Sequence, residues 1–127
     1  MQVGQTQVVF YREQSGRVPT LQWLENLPER PRARCRALIE RLQQFGHQLR
    51  HPHAHVLRDG IYELRTRLGK VRYRMLYFWN GNTAAVISHG IIKKTAAVPA
   101  REIQRALRRK QQFEQNPVLH TQEIENE

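Results

Sequence analysis

A chain of 127 residues makes one ordinary domain, and at 39% hydrophobic and 25% charged residues it is close to globular composition rather than disordered. No apolar run approaches the roughly 20 residues of a membrane span. The opening MQVGQTQVVF is not expected to be a secretory signal, and the lone Cys35 gives no disulfide framework or cysteine-based zinc site. A cytoplasmic protein is expected. Charge is the outlier: 21 Lys and Arg face 11 Asp and Glu, a formal +10. Every cation lies at or before Lys110, so residues 1–113, with seven acids, carry +14, and Glu114, Glu123, Glu125 and Glu127 give the tail −4. Seventeen of the cations are Arg, whose planar fork suits phosphate, which makes a nucleic acid the leading partner.

Residues 6–11 (TQVVFY) are β-branched and aromatic enough for a strand. From Pro19, Trp23, Leu24 and Leu27 recur at helical spacing in a short helix ending near Pro28. A second helix is predicted from Pro31 to Phe45, with Cys35, Leu38, Ile39, Leu42 and Phe45 on its apolar stripe, Arg30, Arg34 and Arg41 on the other side, and Gly46 as its stop. Residues 47–56 are polar and His-rich and read as a loop, followed by the turn chemistry of Asp59-Gly60. Ile61 to Arg67, Val71 to Trp79 and Thr83 to His89 read as three strands of an antiparallel meander, joined by Gly69-Lys70 and by Asn80-Gly81-Asn82.

A last helix is predicted from Pro99, burying Ile103, Ala106, Leu107 and Phe113; beyond Gln115 no period is convincing and the chain is expected to fray. The class is α+β, with helices over one face of an antiparallel sheet and the other face left open to a ligand. Residues 1–113 form the domain, and 114–127 an acidic tail that could dock on the basic face.

Strand alternation puts Glu63, Arg65 and Arg67 on one side of their strand and Arg72 and Arg74 opposite the apolar set of the next. Paired through Gly69, the four arginines crowd one surface, and like charges on facing strand positions are destabilising, which points to an absent polyanion. Glu63 is a poor base among so many cations and better suited to orienting Arg65. His51, His53 and His55 alternate, but with Pro52 among them and no carboxylate at a helpful spacing they read as solvated or RNA-facing, not as a metal site. No metal or other cofactor is expected. His89 is either an acid–base group or a strand-end histidine bonded to backbone. Cys35, Trp23 and Trp79 are read as packing residues.

Leu57-x-x-Gly60-Ile61-Tyr62-Glu63-Leu64-Arg65, Arg72-Tyr73-Arg74-Met75-Leu76-Tyr77-Phe78, His89-Gly90-Ile91-Ile92-Lys93-Lys94-Thr95, Pro99 and Glu102-Ile103-x-x-Ala106 follow one another in order. Together they resemble the HigB-like, phage-related host-killing toxins of the RelE/ParE superfamily, over about residues 6–113. The resemblance implies a RelE-like fold and the toxin of a type II toxin–antitoxin system: a metal-independent endoribonuclease that enters the ribosomal A site, cuts the message there, and is neutralised by a helix-turn-helix antitoxin. In such cleavage the ribose 2′-hydroxyl attacks the adjacent phosphate, which calls for a base, cations on the phosphorane and an acid for the leaving oxygen.

Carried over, Arg65 and Arg74 match phosphate-holding strand arginines, and Lys93 and Lys94 the basic pair at the end of the last strand. His89 is a second-rank catalytic candidate; Arg67, Lys70, Arg72, Arg105 and Arg109 are expected to bind RNA backbone. The chain departs from the pattern in two places: Ala96-Ala97-Val98 replaces a polar or basic stretch, and Ile91 replaces an aromatic residue. The alternatives are a ParE-like gyrase poison acting by protein binding, and an inactive RNA-binding relative.

Overall fold

In the computed structural model, which describes residues 6–93 and 97–125, these alternations and breaks become six strands and three α-helices. They are β1 (Gln7–Tyr11), α1 (Pro19–Glu25), α2 (Glu29–Phe45), β2 (Ala54–Arg58), β3 (Ile61–Leu68), β4 (Val71–Asn80), β5 (Ala84–Lys93), α3 (Ala100–Gln115) and β6 (Thr121–Glu123). The strands form one sheet in the order β2-β3-β4-β5-β1-β6, so the class is α+β as expected. Gly69 holds φ at 60°, a left-handed value that costs glycine little, and makes the tight turn from β3 into β4. α2 starts at Glu29 rather than Pro31, because a proline in the first turn gives up no intrahelical hydrogen bond. Phe45, placed on the apolar stripe by its spacing, is 42% exposed at the helix end.

Four expectations are corrected. The sheet is mixed, since β1 runs parallel to β5 while β2–β3, β3–β4, β4–β5 and β1–β6 are antiparallel. A parallel pair needs a long connection between its strands, and α1, α2 and the meander supply it. The His-rich stretch is not all loop: Ala54–Arg58 adds an edge strand to β3, with a register shift between Val56 and Arg58. Its alternation is faint because Val56 faces solvent. The tail, over its described residues 114–125, does not fray. Thr121–Glu123 pairs with β1, His120 stacks on Tyr11 at 5.1 Å, and its Nδ1–H donates to the Arg12 carbonyl at 2.7 Å. That docking lies on the far edge of the sheet from β3 and β4, not on the basic face. Nor is the second sheet face left open, because α3 crosses it.

Each face therefore has its own core. Against α1 and α2 pack Val8, Phe10, Leu64, Met75, Tyr77 and Ile87. Against α3 pack Val9, Tyr11, Ile61, Leu76, Phe78 and Ile91, with Ile103, Ala106 and Phe113 closing from above. Gly90 is the close approach on the first side, where the Trp23 indole occupies the space a Cβ would need. Among the described residues, no helix is long and apolar enough to cross a membrane.

Candidate nucleic-acid interface

The strand register settles which side chains share a face. Arg65 pairs with Arg74 and Arg74 with Ile91; one step along, Arg67 pairs with Arg72 and Arg72 with Lys93. Neighbouring strands are about 4.8 Å apart, so Arg67, Arg72 and Lys93 form a cationic row across three strands. This is the face crossed by α3, and the row lies past the part that the helix covers.

Burial separates cations that alternation could not. Arg74 is 2% exposed and Glu63 1%. Arg74 Nη1 donates to Glu63 Oε2 at 2.9 Å and to Oε1 at 3.0 Å, an ion pair in the floor of the face. Arg74, expected to clamp phosphate directly, instead lies beneath the surface, because a buried guanidinium needs a carboxylate and Glu63 stands on the adjacent strand. Arg65 Nη1 lies 3.6 Å from Glu63 Oε1 while its side chain stays 40% exposed. Glu63 thus joins the floor to the rim: it neutralises Arg74 and restrains Arg65, as its spacing from Arg65 suggested.

Arg67 and Lys70 are exposed; Arg72 and Lys93 are half-buried. Among the described residues, no carboxylate lies within 4.0 Å of any of these four cations. Lys94 lies outside the described residues.

His89 is not on the open surface. It is 4% exposed; its Nε2–H donates to Glu102 Oε1 at 3.1 Å, and the Ser88 hydroxyl donates to its Nδ1 at 2.8 Å. Burial, and then the Arg109 guanidinium, push its pKa down to about 4. Both ring nitrogens are occupied, so the second-rank catalytic role gives way to a structural one. A bulge permits this arrangement: Leu76 faces His89 while Tyr77 faces Ile87, so Ser88 is an extra residue and turns toward α3 together with His89.

Arg109, expected to bind RNA, is also inward. It donates to the Ser88 carbonyl at 3.1 Å and to Glu13 Oε2 at 3.3 Å, and lies 5.4 Å over the Tyr11 ring. Burial lowers its pKa, with Glu13 opposing. Arg105 remains 48% exposed, 3.5 Å from Glu102 on α3, and is not gathered with the strand cations. A groove of about 570 Å³ lies beside Arg109, lined by Tyr11, Glu13, Gln112 and His120, and is likewise separate from the cationic row.

At the other side of the site, β2 brings His55 opposite Glu63 and therefore onto the cationic face. Its ring meets His51 edge-on at 3.8 Å, and its Nε2–H donates to the Pro52 carbonyl at 3.2 Å. Burial lowers its pKa, helped by Arg65 and His51 and opposed by the Pro52 bond and Glu63. Among the described residues, no group of three or more His, Cys, Asp or Glu side chains could hold a metal ion. Glu102 reaches His89, and Glu13 and Ser88 reach Arg109, from other elements of the chain, contacts that local sequence spacing does not show.

Fold and site together define a small α+β domain with a basic, partly covered sheet face. The chain belongs to the family described as Phage derived protein Gp49-like (DUF891), whose model matches residues 22–111. Comparison with curated proteins finds no match. The matched span begins within α1 and contains α2, the meander and most of α3, and so all the strand cations.

Proposed function

We propose that this chain is the toxin of a type II toxin–antitoxin pair of the HigB-like kind, an endoribonuclease that cuts message on the ribosome by 2′-hydroxyl attack without a metal. The row Arg67–Arg72–Lys93, flanked by Arg65 and lacking carboxylate partners among the described residues, carries this proposal. Cations held side by side without counter-charge are costly to the free protein. They suit a phosphate whose charge grows in the transition state. In this reading Arg65 and Arg72 hold the phosphate; the 2′-hydroxyl loses its proton to solvent as it bonds to phosphorus, Lys93 protonates the departing 5′ oxygen, a cyclic phosphate and a free 5′-hydroxyl result, and Arg74 acts through Glu63 as a positioning residue. Message and the RNA of the ribosomal A site are the partners of this face, and a helix-turn-helix antitoxin neutralises it.

The test is induced expression with mapping of message 5′ ends. Cuts confined to translated frames are expected; intact messages with accumulating DNA breaks would favour a gyrase poison and sink the proposal. Arg65→Ala and Arg72→Ala should each lower cleavage roughly 10- to 100-fold, the loss of one or two charge-assisted hydrogen bonds, and relieve growth arrest. Arg74→Ala is the wrong probe, because it strands a buried carboxylate and destabilises the protein for reasons unrelated to RNA.

A further inference from the structure

The second concentration of arginine lies on α2, on the opposite side of the sheet from the cationic row. Between Arg30 and Arg36 every second residue is Arg: Arg30, Arg32, Arg34 and Arg36. At about 100° per residue, a period of two on a helix throws successive side chains to alternate flanks. Arg30 and Arg34 line one flank; Arg32 and Arg36 line the other. The crest between them carries Ala33 and Ala37, both exposed, while Pro31, Cys35 and Leu38 face the core. Arg30, Arg34 and Arg36 are exposed, Arg32 half-buried, and among the described residues no carboxylate lies within 4.0 Å of the four.

Each flank is an i, i+4 pair of like charges, which weakens a helix rather than supporting it. Nothing in the packing of α2 calls for this arrangement, since its buried stripe is complete without it. A small-residue crest between two rows of guanidinium forks matches a shallow groove bounded by two phosphate strands. Duplex RNA has that shape: its minor groove is wide and shallow, and proteins reach the phosphates and 2′-hydroxyls across it. Arginine supplies the bidentate contacts to phosphate.

We propose that the N-terminal half of α2 is a second RNA-binding site, specific for the shape of duplex RNA, with Ala33 and Ala37 against the groove and the two arginine pairs on its bounding strands. The choice of RNA over other polyanions rests on the function proposed above. The two sites face opposite ways, so the domain can hold a single-stranded message on its sheet face and a duplex wall on its helix face together.

The test uses the full chain, an RNA duplex of about 16 base pairs, a DNA duplex of the same sequence and poly-glutamate. Arg30→Ala/Arg34→Ala and Arg32→Ala/Arg36→Ala should each lower duplex-RNA affinity about tenfold and reduce the slope of log affinity against log salt by about 2. Melting temperature should not fall, since alanine is the best helix former and each double removes a like-charge pair. Arg30→Lys/Arg34→Lys, which keeps the charge and removes the forks, should fall between. Arg65→Ala/Arg72→Ala should leave duplex affinity within about twofold of the unsubstituted chain, as expected if each counter-charge counted by the salt slope belongs to one face. Unchanged binding in the α2 doubles overturns the site, as does an equal loss in the sheet-face double. Equal affinity for DNA, or equal competition by poly-glutamate, overturns its specificity and makes an acidic or DNA partner the occupant. If the chain cuts no message while the α2 doubles still lose duplex RNA, the proposed function falls and this site stands; cutting with duplex binding untouched by the doubles gives the reverse.

Discussion

Two parts of one sheet face carry charge in opposite ways. Under and beside α3, charged groups are matched: Arg74 with Glu63, Arg109 with Glu13, and Glu102 with Arg105, the neutral His89 ring donating to the same Glu102 carboxylate. Past the helix, Arg67, Arg72 and Lys93 stand in a row with no carboxylate in reach among the described residues. Alternation of the strands produced both regions. The difference teaches that a basic face is best read by whether each charge is closed by a partner. Matched charges serve the fold, and unmatched ones are open to a ligand.

The strongest way to break this comparison is on the matched side. Arg74→Met or Glu63→Leu alone leaves an uncompensated buried charge and should cost about 3–5 kcal/mol. The double substitution should recover most of it, in urea melts of both singles and the double. If the singles are mild, the pair is not a structural floor and Arg74 returns to the surface chemistry.

A smaller effect comes from His89. Its folded pKa of about 4 lies below the ordinary 6.5. Between those values the unfolded chain binds a proton that the folded chain refuses. Its contribution is therefore fully present above pH 6.5 and is lost as pH falls toward 4, with a slope of up to about 1.4 kcal/mol per unit. His89→Gln should flatten the corresponding stretch of the stability–pH curve; parallel curves for the two proteins would show that His89 titrates normally.

The smallest effect is expected on the unmatched side. Arg67→Ala or Arg72→Ala should change stability by less than about 0.5 kcal/mol, with a slight gain if relief of facing like charges dominates. A loss of several kcal/mol would reveal a hidden structural partner and erase the contrast.

The hairpin through Gly69-Lys70 could be read from the chain because a two-residue turn sets the register of its strands, and with it the pairs Arg65–Arg74 and Arg67–Arg72. The edges of the sheet could not. β2 is masked by histidines and Pro52, and the partners of β1, in β5 and β6, lie far along the chain. Nor could alternation tell Arg74 from Arg72, two positions apart on one face. Where α3 ends and which carboxylate stands beside each guanidinium are tertiary facts, and they decide that one is floor and the other rim. The same limit misplaced His89 and Arg109, whose partners Glu102 and Glu13 come from α3 and from the segment after β1.

The extra residue at Ser88 also decides the make-up of the cationic row. Counted from Val86, which faces Phe78, Lys93 is seven residues on, an odd number. Plain alternation would send its ammonium to the Trp23 side of the sheet. The bulge resets the count, so that β5 keeps step with β1 before Ser88 and with Arg72 after it. The strand is two phases spliced at one serine, and Lys93 joins its arginine neighbours only because of that half-turn slip. Regularising the splice without changing the composition would leave the net charge at +10 and take one cation out of the row.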